Sequence, residues 1–348
     1  MYNILCKKAK LKKGDGTVRE LHIEKNDAGQ RLDKFLSKAL PDMPPSFLYK
    51  ALRLKKIKRN RKRADKADIL AVGDTLQLFI PEDFFKTKEE DGDLCRLLEG
   101  ITPRLSILYE DENIMLLNKR PGINVHEDKD GNTNTLITHI QSYLYKKGEY
   151  DPKKEQAFAP ALCNRIDRNT GGIVIAAKNA EALRVMNDKI KNREIDKFYL
   201  CAVHGIPTPK EATLEGFLLK DETNNLVRIY KDKKSAPRDA KPIKTRYKTL
   251  AVKDGDALLE IELLTGRTHQ IRAHLASVGH ALWGDGKYGI NRLDRARGYK
   301  YQALYSYRLR FSFRGDEKTC LDYLSGKEFA LKKDEIYFTA SFFGGESV

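Results

Sequence analysis

Cysteine is scarce in this chain, and the few residues present do not group. The 348 residues include five cysteines, Cys6, Cys95, Cys163, Cys201 and Cys320, widely spread and never spaced as CxxC. An odd, scattered set argues against a disulfide framework, and the missing CxxC spacing argues against a zinc cluster. Cys163 reads as a small apolar filler. Long apolar runs are also missing. None approaches the roughly 18 residues of a membrane span, and no apolar segment near the start has the form of a signal sequence. A cytoplasmic protein with no membrane partner is expected. GxxxxGK[ST] does not occur, which excludes the usual P-loop class. HExxH is absent and His269 and His274 stand five apart rather than four, so no metal is expected. There is no GxSxG elbow. His126, His204 and His280 lie near glycines or loops and read as hydrogen-bonded structural histidines.

What the chain does have is positive charge. It carries 65 Lys+Arg against 49 Asp+Glu, a formal net charge of +16. That excess calls for an anionic partner, nucleic acid first and an acidic membrane surface second. The charge is also clustered. After a lysine-rich start (Lys7 to Lys13) and a turn expected at Gly14-Asp15-Gly16-Thr17 between two short strands, the pattern turns helical. Leu32, Phe35, Leu36, Ala39 and Leu40 form one apolar stripe, with Asn26 or Asp27 as cap and Pro41 as stop. A second helix follows Pro44-Pro45, with Ser46 as candidate cap and Phe47, Leu48, Ala51 and Leu52 as its apolar face. Its far end runs into Lys50, Arg53, Lys55, Lys56, Lys58, Arg59, Arg61, Lys62 and Arg63. So many cations so close together repel one another unless an anion compensates them. Lys50, Arg53, Lys55, Lys56, Arg59 and Arg61 are therefore candidate phosphate contacts. A Gly73-Asp74 turn then feeds an alternating strand ending near Ile80.

Residues 82–103, mixed in charge and carrying Gly92, Gly100 and Pro103, read as a linker. The expected organisation is a domain over 1–81, the linker 82–103 and a larger domain over 104–348. The larger part opens on a hairpin around Asp111-Glu112-Asn113. It continues with a helix over Asn134 to Tyr145, polar loop from Lys146 to Phe158, and a helix starting at Asn179. Strands follow at Ile195 to Gly205, Thr245 to Ala251, Ala257 to Leu264 and Tyr301 to Phe313, with a basic, loop-rich section between Lys220 and Lys244. Strands dominate and helices are interspersed irregularly, which is an α+β pattern.

One stretch stands out. In Asn164-Arg165-Ile166-Asp167-Arg168-Asn169-Thr170-Gly171-Gly172 a carboxylate sits between two arginines, ahead of two glycines and the apolar run Ile173 to Ala177. Neighbouring guanidinium groups favour the ionised carboxylate. Asp167 is thus either a nucleophile or a structural ion-pair partner, and the residues alone leave both open. Lys197-Phe198-Tyr199 on a strand and the donor-rich segment from Arg267 through His269 and Gln270 to Arg272 are the other groups that could do chemistry. An ionised carboxylate could form a covalent intermediate, and an aromatic hydroxyl could stack on a base or accept a proton. A glycosidase would need paired carboxylates, and only one stands in these blocks.

These residues also carry a resemblance. Helix, helix, basic turn and a Gly-Asp before a strand, over roughly Leu21 to Pro81, resemble the S4 RNA-binding domain. Asn164 to Gly172 is similar to the HRLDxxTSG signature of the RluA-type pseudouridine synthases, and Lys197-Phe198-Tyr199 to that family's K-x-Y strand. Leu264 to His274 is similar to its TGRxHQIRxH segment. Gly279-His280 and Gly284-Asp285 with Tyr288-Gly289 follow in family order, and the hairpin from Ile107 to His126 resembles the family's start. The resemblance implies a catalytic domain built on a mixed, mainly antiparallel sheet with flanking helices. It implies isomerisation of selected uridines in RNA, without metal or cofactor, large-subunit ribosomal RNA being the first expectation and tRNA the alternative. A non-catalytic RNA-binding or assembly protein is the reading outside enzymology, and a monomer is expected. The family's catalytic aspartate falls on Asp167, its tyrosine on Tyr199 and its basic partner on Arg272. Arg165, Arg168, Lys197, Arg267, His269 and Gln270 are expected to contact RNA. Asn164 in place of histidine and Gly171 in place of serine depart from the family pattern.

Overall fold

A computed structural model of the chain describes residues 18–85, 88–127, 133–315 and 318–343. The turn expected at Gly14 to Thr17 and the lysines before it lie outside them. Two units emerge. The first comprises residues up to Arg96 together with Asp151–Phe158, the second Leu97–Tyr150 and the chain from Ala159 onward.

In the first unit the strands β1 (Arg19–His22), β2 (Ile57–Arg59), β3 (Lys62–Arg63) and β4 (Thr75–Leu78) form a four-stranded antiparallel sheet in the order β1-β4-β2-β3. Helices α1 (Leu32–Ala39) and α2 (Pro45–Arg53) cover it. The expected stripe of Leu32, Phe35, Leu36, Ala39 and Leu40 is buried and meets Leu48, Ala51, Leu52, Ile57, Leu76 and Leu78 in one core. Each such large side chain contributes about 1.5–3 kcal/mol relative to exposure.

The helix starts differ from expectation. Arg31 occupies the cap position of α1 without a side-chain cap. Asp27 is instead buried, accepting from Glu24 N (3.3 Å) and Gln156 Nε2 (3.1 Å). Pro44, not Ser46, precedes α2, and Pro45 fills the first turn, where a missing N–H costs nothing. Gly73 takes φ +87°, and Asp74 closes its turn by accepting from Ala71 N (2.7 Å), Asn60 Nδ2 (2.7 Å) and Arg59 Nη2 (2.6 Å). Arg59, expected among the phosphate contacts, is therefore engaged by a half-shielded internal ion pair. Lys50, Arg53, Lys55, Lys56 and Arg61 remain exposed.

The linker expected over 82–103 is corrected. It contains helix α3 (Lys88–Gly100), and the division between the units falls inside it. Leu98 is fully buried and Cys95 nearly so. Gly92 within the helix and Gly100 at its end, among many charges, masked its helical spacing in the sequence.

The second unit is built on an eleven-stranded sheet. Its strands are β5 (Ile107–Glu110), β6 (Ile114–Lys119), β7 (Ala161–Leu162), β8 (Gly171–Ala177), β9 (Ile195–Val203), β10 (Glu211–Asp221), β11 (Leu226–Tyr230), β12 (Lys241–Lys253), β13 (Asp256–Leu263), β14 (Leu304–Phe311) and β15 (Glu328–Ala330). The main path runs β11-β10-β12-β13-β9-β14-β8-β6-β5, with β15 on β14 and β7 on β8. Every pairing is antiparallel except β14 with β8. Helices α4 (Leu136–Lys146), α5 (Ala180–Lys191), α6 (Gln270–Ser277), α7 (Arg292–Ala296) and α8 (Ala340–Phe343) accompany it, giving the expected α+β, mainly antiparallel architecture. Asn179 caps α5 through Ala182 N (2.8 Å), as its sequence suggested. The β10–β11 hairpin was not anticipated, because its charged, largely exposed residues resemble a loop. Polar loop was expected at 151–158, which joins the first unit. Among the described residues no helix is long and apolar enough to cross a membrane.

The parallel pairing of β8 with β14 rests on Tyr305 opposite Gly171 and Ser306 opposite Gly172, and Ser306 lies opposite Tyr199 of β9. The loop entering β8 is thereby placed level with Tyr199, two strands away. Both glycines are needed. A Cβ on Gly172, at φ +111°, would overlap the Ser306 backbone, and one on Gly171 would fall within the Tyr305 ring. Tyr305, which donates to Asn118 Oδ1 (2.8 Å), occupies the space a serine would use. We expect Gly171→Ser to destabilise the protein by about 1–3 kcal/mol, as overpacking does. Combining it with Tyr305→Ala should recover part of that loss. Thermal melts of the two single variants and the double variant give the coupling, and strict additivity would overturn this account.

Candidate active site

The loop from Cys163 to Thr170 is folded back by its own polar groups. Asn164 Oδ1 accepts from Ile175 N (2.7 Å) and Cys163 N donates to Ile175 O (2.8 Å), so asparagine serves the strand edge in the place of the family histidine. Thr170 N donates to Asp167 O (3.0 Å), closing a turn that projects the Asp167 side chain. From the other side Lys119, 1% exposed, donates from Nζ to the carbonyls of Arg120 (3.1 Å), Ile123 (3.0 Å) and Arg168 (2.9 Å). Burial pushes the Lys119 ammonium down to about 7 while the charge of Asp167 pulls it back up. Three carbonyls satisfy its three hydrogens.

Asp167 Oδ2 receives Arg272 Nη1 at 3.0 Å. Arg272, 5% exposed, gives its remaining edge to the fully buried Asp285, Nε to Oδ2 at 2.7 Å and Nη2 to Oδ1 at 2.8 Å. Burial alone would raise the Asp285 carboxyl, but the bonds and charge of Arg272 hold it below the usual range. Asp285 also accepts from Lys287 N (2.9 Å) and Tyr288 N (3.2 Å). The Tyr288 ring lies against the guanidinium, 5.3 Å from its centroid, and the Tyr288 hydroxyl meets His269 Nδ1 at 2.8 Å. His269, in the left-handed conformation (φ +52°) at the start of α6, presents Nε2 3.9 Å from Asp167. Burial, only partly opposed by Asp167, lowers its pKa, so the ring is neutral at neutral pH. Tyr199 is 6% exposed, and burial above all, with a smaller contribution from Asp167, pushes its phenol up to about 12.

Asp167, Arg272, His269 and Tyr199 line a cavity of about 950 Å³ in the second unit. Of the residues singled out in the sequence, Asp167, Tyr199, Arg272, Arg165, Arg168, Lys197, Arg267 and His269 meet there. Arg165, Arg168 and Arg267 are exposed at it. Gln270 is corrected. It borders the cavity but is 2% exposed, and its amide is spent internally. Its Nε2 donates to Lys244 O (3.0 Å) and Thr245 Oγ1 (3.0 Å), while Oε1 accepts from Thr265 Oγ1 (2.9 Å) and Arg267 N (3.1 Å). No donor or acceptor is left for RNA. His274, bonded to Thr245 Oγ1 at 3.0 Å, is likewise internal. Lys50, Arg53, Lys55, Lys56, Arg59 and Arg61 belong to the first unit.

Comparison with known proteins decides what this geometry belongs to. Residues 113–277 match the family model described as RNA pseudouridylate synthase. The chain is 32% identical over 282 residues to the ribosomal large subunit pseudouridine synthase C of Vibrio parahaemolyticus, covering 81% of this chain and 83% of that protein. The chain belongs to the RluA-type RNA pseudouridine synthases. The Escherichia coli K12 protein of the same title is 30% identical over 279 residues, covering 80% of this chain and 82% of its own length. Among solved structures, human RNA pseudouridylate synthase domain containing 4 aligns with a TM-score of 0.50 at 21% identity, over 71% of this chain and 93% of that one, a likeness of fold. As a pseudouridine synthase the protein is an isomerase.

Asp285, Tyr288 and Lys119 are the site residues to which sequence reasoning gave no role. Asp285 and Tyr288 stood in a recognisable GDxxYG block, whereas Lys119 looked like an ordinary strand-end cation. We expect Asp285→Asn to release the guanidinium and lower kcat on the order of 100-fold with KM little changed, the scale of a misplaced reacting group. Single-turnover assays on an RNA substrate test this, and a wild-type rate would show that Asp285 does not position Asp167.

Proposed function

We propose that the protein converts uridine to pseudouridine at defined positions of large-subunit ribosomal RNA, with Asp167 as the catalytic carboxylate. The observation that carries this reading is the seating of Asp167 at 3.0 Å on a buried arginine, over a cavity large enough for one nucleoside. The ribosomal target is supported by the printed names of the relatives quoted above.

The reaction exchanges the N1–C1′ bond for a C5–C1′ bond, N1 gaining a proton and C5 losing one. It balances without co-reactant. The target uridine must leave its stack to enter the cavity, and the exposed Arg165 is suited to fill the space it vacates. Asp167 then meets the nucleoside while Arg272 balances its charge. Tyr199 is a neutral phenol at neutral pH, so its first task is to stack on the uracil ring, and any part in moving the C5 proton is as a hydroxyl rather than a phenolate. The first unit, read as S4-like, adds sequence-independent phosphate contacts through Lys50, Arg53, Lys55, Lys56 and Arg61. In this reading the enzyme acts as a cytoplasmic monomer.

Asp167→Asn is expected to abolish pseudouridine formation while RNA binding persists. Mapping pseudouridines in total RNA with and without the protein identifies the target. Signal confined to tRNA would replace the ribosomal assignment, and normal modification by Asp167→Asn would remove the catalytic one. A protein that bound ribosomal precursors but changed no uridine would be an assembly factor instead. Neutralising Lys55, Lys56 and Arg61 together as glutamines should weaken RNA binding and make its dependence on log salt shallower by about 1 for each phosphate no longer engaged. An unchanged slope would remove the first unit from the RNA interface.

A further inference from the structure

Past Lys287 and Tyr288, whose backbone N–H groups hold Asp285, the segment leading to β14 has no role in the chemistry above, yet its surface combines exposed charge with exposed apolar side chains. Lys287 to Lys300 carries Lys287, Arg292, Arg295, Arg297 and Lys300 against a single acid, Asp294. Asp294 is 1% exposed and is consumed inside, accepting from Gly284 N (2.9 Å) and His204 Nε2 (3.0 Å). That anchor pins α7 beside the buried Gly284-Asp285 pair that holds Arg272. The neighbouring Arg295 and, beyond it, Lys300 point the other way. They share a second cavity of about 550 Å³ with Arg168, and Arg168, Arg295 and Lys300 also border the main one, so the two spaces adjoin. Among the described residues no carboxylate comes within ion-pair reach of Arg295 or Lys300, the nearby Asp256 facing His204 and Arg297. Lys300 lies 5.6 Å from the centroid of Tyr301 instead. The same segment bears the two most exposed large apolar side chains described in the chain, Ile290 at 88% and Leu293 at 74%.

Water-exposed apolar tips on the same segment as unpaired cations that border the cavity match one kind of partner. A nucleic-acid strand presents anionic edges and apolar base faces within a few ångströms of each other, and proteins that splay such strands insert apolar side chains against the bases. We propose that Lys287–Lys300 is an RNA-gripping rim of the active site that takes the strand flanking the target uridine. Arg295 and Lys300, together with Arg168, hold a phosphate of that strand, and Ile290 and Leu293 pack on the adjoining nucleobase once the uridine has left its stack. The proposal rests on the RNA-modifying reading of the cavity and adds which part of the chain handles the neighbouring nucleotide.

The test uses the full-length protein and a stem-loop RNA carrying the uridine found by mapping, prepared also with single neutral methylphosphonates on either side of it and with 2-aminopurine as the adjoining base. With Ile290→Ser/Leu293→Ser we expect KM to rise about tenfold, the scale of one missing base stack, and the change in 2-aminopurine fluorescence on binding to disappear. Arg295→Gln/Lys300→Gln should raise KM several-fold with kcat nearly unchanged. One methylphosphonate should weaken the wild type but cause no further loss in that variant, and Arg295→Lys should retain most of the affinity. Equal thermal melts for wild type and variants exclude unfolding, as expected for exposed positions. If wild type forms pseudouridine and the variants match its KM, or if every methylphosphonate weakens the glutamine variant as much as the wild type, the rim assignment falls alone. If wild type modifies no uridine, the proposed function falls and the rim with it.

Discussion

Arg272 is almost wholly buried, carries one positive charge and faces two carboxylates, and the way its planar guanidinium divides between them sets the geometry of the site. A buried charge left unpaired costs several kcal/mol, so Arg272 and the fully buried Asp285 hold each other in place. The two parallel bonds to Asp285 occupy Nε and Nη2 and orient the guanidinium plane. Nη1 is then aimed by the rigidity of the group, and Asp167 sits where it points. Lysine could not do this, because a single ammonium has no plane to fix. Asp285 in turn is held by the backbone N–H groups of Lys287 and Tyr288, and its neighbour Gly284 by Asp294. Carboxylate placement thus traces back to the segment after α6.

The second half of the placement is backbone geometry. Asp167 lies on a loop, and loops position side chains poorly unless tied down. This one is tied at three points: Asn164 to Ile175, the Lys119 ammonium to the Arg168 carbonyl, and the close approach of Gly171 and Gly172 to β14. The family-divergent residues become intelligible there. Asn164 keeps a hydrogen-bond acceptor where the strand edge needs one. Gly171 belongs with Tyr305, whose ring occupies the space of the missing side chain and whose hydroxyl reaches Asn118 on β6. Neither departure supplies a hydrogen bond to Asp167, Tyr199 or Arg272.

What could be read in the sequence was local and chemical. The apolar stripe of α1 and the cap of α5 follow from spacing and side-chain hydrogen bonding, and both stand as read. Asp167 could be singled out by its neighbours but not decided, because a carboxylate between arginines looks the same whether it reacts or only braces a loop. Burial was the information that was missing. Gln270 sits between His269 and Ile271 in a donor-rich run, and only the fold shows that its amide turns inward to Thr245 and Lys244. Arg59 stood among nine cations, and only the fold shows that Asp74 claims it. The helix at Lys88–Gly100 and the β10–β11 hairpin were hidden because charged and polar residues obscure the apolar spacing of both.

The distribution of charge around the cavity has a consequence for how a nucleotide enters. Inside, two carboxylates face one guanidinium, His269 and Tyr199 are neutral near neutral pH, and the Lys119 ammonium is enclosed by carbonyls. Outside, Arg165, Arg168, Arg267 and Arg295 are exposed around the mouth. A phosphodiester is therefore attracted to the rim, where the exposed guanidinium groups gather. Exposed charges act only over about 8–10 Å at ordinary salt, so this polarity operates at the mouth itself rather than at a distance. A nucleotide that binds with its phosphates on the rim has one way to fill the cavity, base and sugar first. In the proposed reading, the basic residues that engage phosphates without reading sequence also orient the nucleoside toward Asp167, leaving discrimination of uridine to the shaped interior.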